Sequence, residues 1–86
     1  MRRLIYSPNG WLDYIYWQKN DKSVLEKIDD LAKQICKDPY EGTAKPVQLK
    51  FDLSNIWTRR LDLENRIVYR VTEETIQILQ CRYHYS

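Results

Sequence analysis

Four arginines, Arg59, Arg60, Arg66 and Arg70, fall inside one fifteen-residue stretch, Trp57 to Val71 (WTRRLDLENRIVYRV), and the chain ends on Tyr83-His84-Tyr85-Ser86. A planar, permanently charged guanidinium can grip a phosphate through two hydrogen bonds at once, which lysine cannot do. The first chemistry these residues suggest is therefore that of a phosphate-rich partner. Cleavage of RNA through its own 2′-hydroxyl asks a protein for three things. A base must take the 2′-OH proton, a cation must stabilise charge building on the phosphoryl oxygens, and an acid must protonate the leaving 5′-oxygen. His84, with a reference pKa of about 6.5, suits either proton-transfer role, and Arg66 suits the charge. Tyr83 and Tyr85 offer flat faces for stacking an unpaired base. The plainer alternative is a sheet whose solvent face is basic, closed by packing tyrosines. Residue types alone lead no further than a basic, nucleic-acid-facing domain.

The elements that would position these groups are legible in part. WTRRLDL and RIVYRV read as two strands of a β-hairpin meeting at Glu64-Asn65, where Asn tolerates left-handed backbone. Alternation puts Arg66, Val68 and Arg70 on one face and Ile67, Tyr69 and Val71 on the other, the core side. Arg66 then shares the open face with Glu64 if its strand starts that early, and His84 emerges at the end of the neighbouring strand.

Upstream, Arg3 to Tyr6 reads as a strand, and Ser7-Pro8 supplies an N-cap with proline at the first helical position. In that helix Trp11, Leu12, Ile15 and Tyr16 form one apolar side, widened by Tyr14 and Trp17. Asp21 caps a second helix in which Val24, Leu25, Ile28, Leu31, Ala32 and Ile35 recur at three- and four-residue steps. Asp38-Pro39 ends it. Tyr40 to Pro46 is a loop through Gly42, the one place for a lid. Val47 to Leu53 alternates as a strand with Gln48, Lys50 and Asp52 on the other side, and a last strand runs from Thr75 to about Tyr83. The expected fold is α+β, two N-terminal helices packed on a small antiparallel sheet, in a single domain over residues 1–86.

Composition agrees, with 43% hydrophobic and 30% charged residues and only 2 Gly and 3 Pro. That describes a globular chain of modest stability, about 5–10 kcal/mol. The net charge is +2, and the excess lies entirely in residues 43–86, which carry seven Lys/Arg against five Asp/Glu. No apolar run reaches membrane-spanning length and the N-terminus lacks a signal-peptide core, so a cytoplasmic protein without a membrane partner is expected. Cys36 and Cys81 lack metal-ligand spacing and read as buried free thiols. No metal or other cofactor is expected.

The motifs DYIYWQ, KPVQLK, LSNIWTRRL, ENRIVYRV and CRYHY together resemble the YoeB/Txe toxins of the RelE superfamily, over nearly the whole chain. The ordered set L-S-x-x-W-[ST]-R-R, E-x-R-[LI]-V-Y and terminal Y-H-Y carries the resemblance. It implies a small α+β RNase fold and a ribosome-dependent mRNA endonuclease, the toxin of a toxin–antitoxin pair, cutting mRNA in the ribosomal A site. It also implies neutralisation by a YefM/Axe-like antitoxin, a homodimer when free, and operator DNA bound only as the toxin–antitoxin complex. By the same resemblance Arg66 stabilises the phosphate, His84 is the general acid and Tyr85 orients substrate. Lys45, Lys50, Arg59, Arg60 and Tyr83 engage RNA or the ribosome.

The family motif is usually K-P-E-x-L-K, its glutamate the general base, and here Val47 stands in that place. Either another residue serves as base, Glu64 being the candidate, or cleavage is slow, or the substitution attenuates the toxin. The last two are favoured. A translation inhibitor that binds the ribosome without cutting, or an antitoxin-binding corepressor of its own operon, are the alternative functions. Ser86 is a smaller departure, moving the terminal carboxylate one residue beyond the tyrosine.

Overall fold

The computed structural model describes residues 1–49 and 54–83. Seven elements follow in chain order: β1 (Arg3–Tyr6), α1 (Pro8–Asn20), α2 (Lys22–Lys37), β2 (Val47–Gln48), β3 (Ile56–Arg60), β4 (Arg66–Val71) and β5 (Thr75–Gln80). The strands form one sheet in the order β1-β5-β4-β3-β2. Neighbours from β2 to β5 are antiparallel, but β1 lies parallel to β5, with Arg3 opposite Thr75 and Tyr6 opposite Ile78. The class is the α+β expected, and the sheet is mixed because the first strand returns beside the last.

Local chemistry sets the helix ends. The Ser7 hydroxyl accepts the Gly10 N–H at 3.1 Å, with Pro8 opening α1. Asp21 serves both helices. Its backbone N–H closes α1 on the Trp17 carbonyl, and its carboxylate accepts the Ser23 and Val24 N–H groups that open α2. Asp38 repeats the device at the end of α2, its carboxylate accepting from Tyr40 and Glu41.

The core lies between α2 and one face of the sheet. Val24, Ile28, Leu31, Ile35 and Cys36 pack on Ile67, Tyr69, Val71, Ile76 and Ile78, the α2 stripe and β4 face expected from periodicity. Both cysteines are buried free thiols, and burial pushes the Cys81 thiol up to about 12. In α1 the packed face differs from expectation. Trp11 and Leu12 are exposed, Leu12 at 65%, while Gly10, Tyr14 and Trp17 face inward. The reason is Gly10, which hydropathy ignores. A Cβ there would sit 2.3 Å from the Ile78 carbonyl oxygen, so the missing side chain is what lets α1 lie directly on β5.

Gly10→Ala is accordingly expected to force α1 off the sheet and cost about 1–3 kcal/mol, the usual range for overpacking. At about 4–8 °C of Tm per kcal/mol for a domain of this size, thermal unfolding reads it easily. An unchanged Tm would mean that α1 does not depend on this close approach.

Two hairpin details also depart from expectation. β3 stops at Arg60, and a five-residue loop, Leu61 to Asn65, replaces a two-residue turn. Leu61 is buried, and the Asp62 carboxylate accepts the Glu64 and Asn65 N–H groups, both at 2.8 Å. An aspartate-built turn therefore closes the loop, and Asn65 is not left-handed. β5 ends at Gln80 because the backbone of Cys81 is taken up by α1. Its N–H donates to Asp13 Oδ2 at 3.0 Å, and its carbonyl accepts from Trp17 Nε1 at 2.9 Å. Of the expected strand 47–53, Val47 and Gln48 form β2, and residues 50–53 lie outside the described residues.

Candidate functional site

Cross-strand register, more than any single contact, assembles the sheet face turned away from α2, because directly opposed residues project to the same side. Val47 faces Thr58, Thr58 faces Val68, and Val68 faces Gln80, a row across four strands. One step along, Arg60 faces Arg66. On the other side of the row Ile56 faces Arg70, which faces Gln77 and donates to its Oε1 at 3.3 Å. Position 47 and Arg66 thus share one face, and Gln48 points away with Trp57. Val47 is 50% exposed. Its partner Thr58 is buried, and the Thr58 Oγ1 finds no hydrogen-bond partner among the described residues.

Arg60 is exposed and Arg66 partly buried. Two like charges directly opposed on a sheet, with Cβ atoms about 4.5–5.5 Å apart, are unfavourable by themselves. A phosphate turns that cost into a binding gain. Lys45 is exposed just ahead of β2. Tyr83 reaches the arginine end from β5, its carbonyl accepting the Arg66 N–H at 3.1 Å, and its ring is exposed. The structure thereby brings Arg60, Arg66 and Tyr83 to one end of a face that also carries position 47. Lys50, His84 and Tyr85 lie outside the described residues.

Arg59 does not belong to this face. It is fully buried on the helix side, opposite Ile67. Its Nη2 donates to the carbonyls of Asp38 (2.6 Å) and Glu41 (2.9 Å), Nη1 to that of Thr43 (3.3 Å), and Nε to the Tyr69 hydroxyl (3.2 Å). The Tyr69 hydroxyl in turn donates a hydrogen bond to the Pro39 carbonyl at 2.6 Å. The expectation that Arg59 engages RNA is therefore corrected. Adjacent strand residues point to opposite faces, so Arg59 and Arg60 could not both reach solvent, and Arg59 instead staples the loop after α2. Gly42, at φ 128°, lies against that guanidinium. The Tyr40–Pro46 loop, the one place for a lid, is tied down at the Glu41 and Thr43 carbonyls, and the Asp38 carbonyl just ahead of it is held as well.

Glu64 stands in the loop before β4, exposed and off the strand alternation, because β4 begins only at Arg66. The premise that it shares the Arg66 face by strand geometry fails. Sequence reasoning also passed over the groups that hold the C-terminal segment. Arg82 lies over the Tyr16 ring at 3.5 Å and the Tyr83 ring at 4.4 Å, and Asn65 Oδ1 accepts the Tyr83 N–H at 2.7 Å. The D-x-E-N spacing of residues 62–65 was the available signal, since an Asp three residues before an Asn can close an Asx-type turn.

Two helices on one face of a five-stranded mixed sheet, with a basic opposite face, is the α+β fold of the RelE-like toxins. Residues 6–85 match the family model described as YoeB-like toxin of bacterial type II toxin-antitoxin system. The chain belongs to the YoeB toxin family. It is 47% identical to Toxin YoeB of Escherichia coli (strain K12) over 83 residues, covering 96% of this chain and 99% of that one. Among solved structures, a YoeB dimer from Staphylococcus aureus superposes with a TM-score of 0.88 at 40% identity, over 98% of each chain. A YoeB-YefM complex from the same organism gives 0.84 at 38% identity, over 99% of each. Among the described residues no helix is long and apolar enough to cross a membrane.

Proposed function

We propose that this toxin is a ribosome-dependent mRNA endonuclease that cleaves mRNA in the A site, with its rate held down by Val47. The observation carrying this reading is the opposed pair Arg60–Arg66 on the face that also bears position 47. Arg66 is the cation at the scissile phosphate, while Arg60, Lys45 and Lys50 hold the RNA backbone. The 2′-oxygen attacks the adjacent phosphorus, the bond to the 5′-oxygen breaks, and His84 delivers a proton to that leaving oxygen, leaving a 2′,3′-cyclic phosphate. Tyr85 orients the substrate, and Tyr83 offers a stacking surface. Valine accepts no proton, so the 2′-OH proton passes to solvent or to a weakly placed group such as Glu64, and orientation and electrostatics carry the residual rate.

The partners proposed are mRNA on the ribosome, a YefM-like antitoxin and, when free, a second copy of the chain. Operator DNA is engaged only through the toxin–antitoxin complex, and the compartment is the cytoplasm. The S. aureus YoeB-YefM complex and YoeB dimer support the two protein partners. A second reading, a ribosome-binding inhibitor that does not cut, is favoured by the same Val47.

Primer extension on a defined mRNA in programmed ribosomes separates the two. Cleavage with a defined 5′ end is expected from the chain and is expected to disappear in Arg66→Ala at unchanged Tm. Ribosome binding and blocked translation with intact mRNA would establish the second reading, and a collapsed Tm in Arg66→Ala would make Arg66 structural.

A further inference from the structure

Residue 83 is held on both of its backbone polar groups. Its N–H donates to Asn65 Oδ1 at 2.7 Å, and its carbonyl accepts from the Arg66 N–H at 3.1 Å. Tyr83 takes a left-handed φ of 65°, a conformation unfavourable for a bulky non-glycine residue that persists only where its surroundings fix it. The two bonds supply that fixation, on either side of the strained residue.

Asn65 is itself oriented. A carboxamide can turn over and exchange its oxygen for its nitrogen, and which end faces a given neighbour depends on what the other end meets. Here the other end meets Asp62, an acceptor only. Asn65 Nδ2 donates to both carboxylate oxygens, at 3.1 and 3.2 Å. The carboxylate is anchored in turn by the Glu64 and Asn65 backbone N–H groups. Burial raises the Asp62 pKa, but those hydrogen bonds outweigh it and hold it below the usual carboxylate range. With its nitrogen committed to Asp62, Asn65 can present only oxygen to Tyr83, and at 8% exposure it has little room to swing away.

We propose that Asn65, oriented by Asp62, is a positioning residue that sets where the Tyr83 backbone stands relative to Arg66. Its bearing on catalysis rests on the endonuclease reading, in which the next two residues, His84 and Tyr85, serve the reaction. The anchors on α1 do a different job. Asp13 and Trp17 hold Cys81, and Tyr16 holds the Arg82 side chain, so they fix the exit from β5. Asn65 acts at the next step, on the residue that precedes the proposed acid. Consecutive Cα atoms are about 3.8 Å apart, so fixing residue 83 beside Arg66 fixes the origin from which residue 84 is built. An error of about 1 Å in placing a reacting group can cost about 10²-fold in rate.

The test uses the full chain with Asn65→Ala, and Asp62→Asn as a milder second variant that keeps the Asn65 side chain but faces it with an amide that can turn over, instead of an acceptor-only carboxylate. Hydrogen exchange at the Tyr83 amide is read by NMR beside that at Ile67 and Tyr69, and single-turnover cleavage and ribosome binding are read separately. The expected result is faster exchange at Tyr83 with the two core amides unchanged. The cleavage rate at saturation should fall by about 10²-fold in Asn65→Ala and less in Asp62→Asn, with ribosome affinity unchanged. Undiminished protection of Tyr83 in both variants would overturn the proposal, as would faster exchange with the wild-type cleavage rate. If neither the chain nor its Val47→Glu variant cleaves, the endonuclease reading falls, and the Tyr83 exchange alone then decides whether Asn65 holds the Tyr83 backbone.

Discussion

Val47→Glu is expected to raise mRNA cleavage on programmed ribosomes by about 10²- to 10⁴-fold, the usual range for gaining a general base. The argument rests on register. Val47 is half exposed and opposes Thr58 on β3, so a side chain there projects over the face that carries Arg66 and Arg60. A glutamate needs no backbone change to enter that face, because β2 already runs extended at this point. The Thr58 hydroxyl, buried and without a hydrogen-bond partner among the described residues, stands opposite and can donate to the new carboxylate, which would orient it. An orphaned buried polar group costs about 1–3 kcal/mol, so satisfying it should also offset part of the cost of the added charge. Single-turnover primer extension of the chain and its Val47→Glu variant, at equal ribosome occupancy, measures the effect. Equal rates would mean that another group already serves as base in this protein, and Glu64 would be the first to replace.

Arg59→Ala is expected to leave the domain largely unfolded at 37 °C. The guanidinium satisfies three carbonyls and the Tyr69 hydroxyl on the core side of the sheet. Each acceptor stranded by its removal costs about 1–3 kcal/mol, so the low end alone approaches the stability of a chain this size, about 5–10 kcal/mol. Lysine does not rescue, since one ammonium cannot reach acceptors spread around a planar fork. Arg60→Ala, one residue on and exposed, should change stability by less than about 0.5 kcal/mol while weakening ribosome binding. Urea unfolding followed by circular dichroism separates the pair. A stable Arg59→Ala that has lost ribosome binding would return Arg59 to the RNA-facing surface.

That contrast also shows how far the residues could be read without coordinates. Amphipathic spacing in α2, proline and aspartate at the helix ends, and alternation in β4 are local signals, and each led to the right element. Arg59 misled because a cation beside a cation looks like surface until the alternation of a strand is applied to both. The inward face of α1 was hidden for the opposite reason. Its closest approach to the sheet is made by Gly10, a residue whose contribution is the absence of a side chain. The parallel pairing of β1 with β5 joins residues far apart in sequence, for which no local pattern exists. At the candidate site, Arg60 and Arg66 were singled out by residue type and position 47 by the family resemblance, and the strand register sets all three on one face. The Asp62–Asn65 hold on Tyr83 was not, because both residues read equally well as ordinary turn formers.

The placement of β5 has a kinetic consequence. It is the last strand to be made, yet it lies between β1 and β4 and pairs with both. Until it has been synthesised, the first strand has no partner and the core face of the sheet lacks Ile76 and Ile78. Contacts between the two ends of a chain form slowly, because their loop entropy must be met before they reward it. The sheet therefore cannot close until residues 75–80 are available, and β1 gains its partner only then.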